Sequence, residues 1–139
     1  MAAITESDIE GILSACAENA AAITESLNQC FDLQVRLSTA DPLPWSRQYM
    51  PLIFSGPGLA VVVSLGSQSL VCLIPESLPL PVWYSLPNES QQSRLQTLAM
   101  EWSMNLLPAT LEAESFRTVS VSNLKEGLDK GEPAEWAAV

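Results

Sequence analysis

One hundred and thirty-nine residues suffice for one domain with a hydrophobic core that needs no disulfide or metal staples. Hydrophobic residues make up 47% and charged residues 16%, a balance that excludes an intrinsically disordered chain. Sixteen acidic residues face six basic ones, a formal charge of -10 with the cations scattered singly, so no basic stripe exists for nucleic acid or an anionic membrane and a cationic protein partner fits better.

Ser7 and Glu10 have capping-box spacing and predict the start of a long helix. Ile9, Ile12, Leu13, Cys16, Ala20, Ile23, Leu27, Cys30 and Phe31 then recur at three and four, an apolar stripe that runs to about residue 31. Leu33, Val35 and Leu37 alternate with Gln34, Arg36 and Ser38, the period of a strand with one wet face. Residues 41–49, with Pro42, Pro44 and Trp45, read as a loop, and Pro51 to Phe54 as a short strand. The runs LAVVVSL and LVCLI, separated by Gly66-Ser67-Gln68-Ser69, predict a hairpin of central strands.

Residues 75–87, PESLPLPVWYSLP, carry four prolines and predict a stiff, partly apolar loop. Asn88 is positioned to cap a second helix, with Gln91 at the capping-box position and Pro108 as its stop. Arg117, Val119 and Val121 alternate as a last strand, and Ser122 to about Lys130 as a short helix. Strands joined by hairpins rather than helical crossovers favour an α+β domain: an antiparallel sheet of four to five strands packed by two main helices over residues 1–130, followed by a flexible acidic tail, 131–139.

Histidine is absent, which removes the commonest general base and most zinc sites. The cysteines show no C-x-x-C spacing, and SGPG leads into a strand rather than a helix, so neither a metal nor a nucleotide cofactor is expected. Cys16 and Cys30 fall about 21 Å apart along one helix axis, too far to bridge, and Cys72 sits in an apolar run. Three buried thiols in a reducing compartment are expected. With no secretory leader pattern and no run of eighteen apolar residues, the chain reads as cytoplasmic and not inserted in a membrane.

Two sets of residues carry the functional expectation. On the second helix, Leu95, Leu98, Ala99, Trp102 and Leu106 form one apolar face, while Met100, Met104 and Leu107 fall on nearly the opposite one at roughly 100° per residue. That second stripe is either buried by another segment, such as the first helix, or is a docking surface. Trp83 and Tyr84, in the proline-rich loop, either cap the core or anchor a partner. On the first helix Glu18 and Glu25 oppose the apolar stripe, a solvated acidic face; the sharper alternative pairs Glu25 with Asn28, one turn on, to orient a water against a phosphoryl group.

At GPGLAVVVSLGSQSLVCLIPE, in the Pro/Trp/Tyr loop, at LQTLAMEWSMNLLP and at FRTVSVSNLKEGL, the chain resembles the amino-terminal region of flagellar motor-switch proteins of the FliN type. More remotely it resembles the CheC/FliY/FliM group of chemotaxis phosphatase-like domains, whose helices carry Asp or Ser, then Glu four on and Asn three on. Glu25 and Asn28 match the last two of those positions, but Ala21 stands at the first, and Glu101 and Asn105 have the wrong separation. The SpoA-type β domain that defines FliN is missing, and the Ala/Glu/Pro-containing end suits the start of a linker. The resemblance implies a CheC-like fold and a scaffold without phosphatase activity, peripheral at the basal body, with other motor-switch components or a second copy as partner. Its alternatives are a phosphatase of response regulators using Glu25 and Asn28, and an unrelated adaptor.

Overall fold

The computed structural model describes residues 5–37, 56–66 and 68–124. Helix α1 (Glu6–Glu18) starts two residues before the Ser7 box predicts. Thr5 is the cap: its hydroxyl accepts from the Asp8 N–H at 3.1 Å, and the Asp8 carboxylate accepts from the Thr5 N–H at 3.0 Å. Thr5 and Asp8 have the same spacing as Ser7 and Glu10, and starting there adds the Ile9-to-Thr5 backbone bond to the helix.

The single long helix of the sequence reading is two. Asn19, at φ -106° and ψ 15°, leaves helical geometry and separates α1 from α2 (Ala20–Phe31). Its own N–H still reaches the Ala15 carbonyl and its carbonyl still accepts from Ile23, both at 2.9 Å, so the apolar stripe continues across the break. Helix α2 ends at Asp32, which takes the left-handed conformation at φ 55° that more often belongs to glycine.

Residues 33–37 keep the predicted alternation, with Leu33, Val35 and Leu37 half-buried and Gln34 and Arg36 exposed, but join no sheet. Their partners are α2 side chains. The Asn28 carboxamide donates to the Val35 carbonyl at 2.9 Å and accepts from the Val35 N–H at 3.0 Å, as a neighbouring strand would. The Leu37 N–H donates to Thr24 Oγ1 at 3.3 Å. The strand predicted at 51–54, the loop at 41–49, most of the helix at 122–130 and the tail lie outside the described residues.

The sheet follows the hairpin prediction. Strands β1 (Gly58–Ser64) and β2 (Ser69–Pro75) pair antiparallel from Gly58↔Pro75 to Ser64↔Ser69, turning at Gly66, where φ is 90°. Strand β3 (Ser115–Val121) pairs antiparallel with the other edge of β1, giving the order β2-β1-β3. Among the described residues there are therefore three strands rather than four or five, and β2, expected to be central, lies at an edge. The central position of β1 explains its continuous apolar run: Leu59, Val61 and Val63 are at most 1% exposed.

Helix α3 (Glu89–Asn105) has the predicted cap, with Asn88 Oδ1 accepting from the Gln91 N–H and Gln91 Oε1 from the Asn88 N–H, both at 2.9 Å. It packs on β1 and β3 with Leu95, Leu98, Ala99 and Trp102 buried, and α2 lies against another side of it. Ile23, Leu27 and Phe31 of α2 complete this core, and Ile12, Val63, Leu65 and Leu107 form a second cluster beneath α1. Described elements thus form an α+β domain with helices layered on an antiparallel sheet.

Gly58 marks the tightest approach in the sheet. A Cβ there would fall on the Ile74 carbonyl oxygen and within 2.7 Å of Leu124 Cδ1. Gly58→Ala is expected to destabilise the fold by about 1–3 kcal/mol through overpacking, measured as a lower urea midpoint at unchanged slope. An unmoved midpoint would show that β2 and Leu124 yield without cost.

Candidate functional site

Helices α2 and α3 run antiparallel, and three contacts fix their register. Cys30 Sγ donates to the Arg94 carbonyl at 3.5 Å, the Ser26 hydroxyl donates to the Glu101 carboxylate, and Asn19 Nδ2 donates to the Asn105 carbonyl at 3.0 Å. The last of these satisfies a carbonyl at the end of α3 and occurs at the break between α1 and α2. Behind the pair, the Trp102 indole N–H donates to the Ile23 carbonyl at 3.2 Å.

Against this frame the second apolar stripe of α3 divides. Met100 is 42% exposed and Met104 69%, because α2 covers the side of α3 that carries Arg94, Glu101 and Asn105 rather than the methionine side. Leu107 departs from the expectation that grouped it with them. The helix ends at Asn105, and Leu107, beyond the end, is 8% exposed among Ile12, Val63 and Leu65. Gly11 explains how closely α1 can approach this turn, since a Cβ there would meet Pro108 Cγ at 3.0 Å.

The proline-rich loop contains a 3-10 turn, Val82–Ser85, that points its aromatic residues inward. Tyr84 is 5% exposed, and its hydroxyl donates to Glu76 Oε2 at 2.7 Å; burial and that carboxylate push the phenol up to about 12. Trp83 is half-buried with its ring centroid 5.3 Å from that of Phe31. The residues presented to solvent are instead Val82, at 92%, and Leu86, at 87%. Sequence reading passed over these two because the aromatic pair has the larger apolar area, and only the short turn decides which side chains face out.

Glu25 and Asn28 border an open groove of about 910 Å³ between α2 and residues 32–37. The Asn28 carboxamide is fixed there by its two bonds to Val35, a structural duty, and Glu25 accepts from Gln29 Nε2 at 3.2 Å. Ala21 lines the same groove, so the third polar group of the phosphatase pattern is absent from its position. No three of Cys, Asp and Glu gather as a metal ion requires among the described residues. The three cysteines are free, and burial raises all their thiols, Cys30 and Cys72 to about 12, so none is a thiolate at neutral pH. No described helix is long and apolar enough to cross a membrane.

The chain is thus an α+β domain whose helical layer exposes apolar side chains. Comparison with known protein families, with curated proteins and with solved structures finds no match to it.

Proposed function

We propose that this chain is a non-enzymatic assembly domain that binds a protein, or a second copy of itself, through the outer face of α3, as part of a flagellar motor-switch or related type III export complex. The exposure of Met100 and Met104, one helical turn apart on an otherwise polar face, carries the reading. Methionine is flexible and polarisable, and apolar side chains grouped on a surface mark contacts with other proteins. Val82 and Leu86 are exposed as well, on the turn before α3 and so at the other end of that helix from the methionines. The choice of complex rests on the resemblance at residues 56–76, the proline-rich loop 75–87, 95–108 and 116–128.

Light scattering and hydrogen exchange with mass readout, over a concentration series and with purified motor-switch components added, test the proposal. Protection of α3 is expected to rise on association. Met100→Gln with Met104→Gln is expected to abolish that rise while changing stability by less than about 0.5 kcal/mol, as surface substitutions usually do. Association that is unchanged in the double variant would overturn the assembly reading. Faster dephosphorylation of a phosphorylated response regulator, lost in Glu25→Ala, would replace it with the phosphatase.

A further inference from the structure

Resting on the assembly reading, we propose that the seam between α2 and α3 docks a basic amphipathic helix of a partner protein. Among the described residues nothing covers the outer side of the seam. On α3 the exposed Met100 and Met104 lie on the outer face beside the seam, Met104 about 60° and Met100 about 100° round the helix from Glu101; on α2 Ala22 and Glu25 are exposed, with Glu18 exposed one turn before them across the break. Spacings of four and three place Glu18, Ala22 and Glu25 on one stripe. Glu101 lies in the seam itself, half-buried, with its carboxylate on Ser26.

Charge identifies the occupant. Helices α1, α2 and α3 together carry seven carboxylates and one cation, Arg94. Arg94 is 3.3 Å from Asp32, at the opposite end of the seam from Met104. Exposed methionines on α3 and Ala22 on α2, with Glu18 and Glu25 along the α2 side and Glu101 between, complement a helix with an apolar face and lysine or arginine along the flank that meets α2. A second copy of this face would bring like charges together, and an acidic or neutral segment would leave the carboxylates unpaired. Methionine at the contact adapts to varied aliphatic side chains, so the flanking charge sets the choice of partner.

The test uses the full chain and a fluorescein-labelled 18-residue peptide of leucine and lysine, leucine recurring at three and four, about 27 Å long as a helix. Its control replaces every lysine with glutamate. Anisotropy titrations at two salt concentrations are paired with amide shift mapping. Binding of the lysine peptide alone is expected, with shifts concentrated at 18–29 and 93–104. Met100→Gln with Met104→Gln is expected to weaken it about tenfold or more. Glu18→Gln with Glu25→Gln is expected to weaken it about threefold at low salt and flatten its salt dependence.

Shifts elsewhere on the surface, or an affinity indifferent to the methionines, would overturn the proposal. Should the methionine variant lose self-association or a motor-switch component while the lysine peptide finds no site at the seam, the basic helix is wrong and the assembly domain stands. If the methionines affect none of these associations, both fall.

Discussion

Trp102→Ala is expected to cost about 3–5 kcal/mol, the range for deleting a large buried aromatic side chain. Trp102 is 5% exposed and touches both layers: its ring belongs to the core beneath α3, and its N–H reaches the Ile23 carbonyl of α2. Removing it leaves a void that Leu27, Leu98 and Ala99, at most 1% exposed, are too closely packed to fill without backbone movement. Trp102→Phe keeps most of the ring but loses the bond to Ile23, and is expected to cost about 1–2 kcal/mol from lost bonding and volume. The Ile23 carbonyl lies within α2 and retains its helical donor, so it is not orphaned. Urea unfolding followed by far-ultraviolet circular dichroism separates the two variants. Against a total of about 5–15 kcal/mol for a domain, the alanine variant loses a large share of its stability. A loss below about 1.5 kcal/mol, the lower end of burying a large apolar side chain, would mean that Trp102 does not hold α2 to α3.

Elements fixed by local chemistry were legible in the sequence. Asn88 and Gln91 cap α3 as their spacing predicts, the Gly66 turn joins β1 and β2, and the alternation at 117–121 lies in β3. The misreadings arose where a distant partner decided the outcome. Asn19 breaks the first helix where its side chain meets the Asn105 carbonyl, 86 residues away. Residues 33–37 alternate like a strand because one side faces the core, and periodicity reports burial without saying whether backbone or the Asn28 side chain supplies the partner. The candidate surface was half legible for the same reason. Helical spacing separated Met100 and Met104 from the buried face, but could not show that the helix stops before Leu107. It also could not show that the turn at 82–85 buries Tyr84 and exposes Val82.

Stability is expected to fall steeply above pH 9, because the fold holds protons that the unfolded chain releases. Burial pushes the Cys30 thiol from 9.0 up to about 12, with Arg94 opposing and Asp32 and Glu101 adding to the rise. Burial raises Cys72 to about 12 as well, with Cys16 adding, and Tyr84 rises from 10.0 to about 12. Each raised acid contributes stability in full below its unfolded pKa. Between that value and the folded one the unfolded state binds fewer protons, so the contribution declines by up to about 1.4 kcal/mol per pH unit per group. For the thiols the window is pH 9 to 12, and for Tyr84 it is 10 to 12. Cys30, 5% exposed on α2, should dominate, and Cys72, half-buried on the edge strand, should contribute less. Urea unfolding at intervals from pH 8 to 10.5 is expected to show a loss of about 3–4 kcal/mol, from two thiols acting over about one and a half units. Cys30→Ala with Cys72→Val should flatten that decline, leaving the smaller share of Cys16 and Tyr84. A double variant whose profile runs parallel to that of the original chain would place the alkaline loss elsewhere, in the general charge of an already acidic surface.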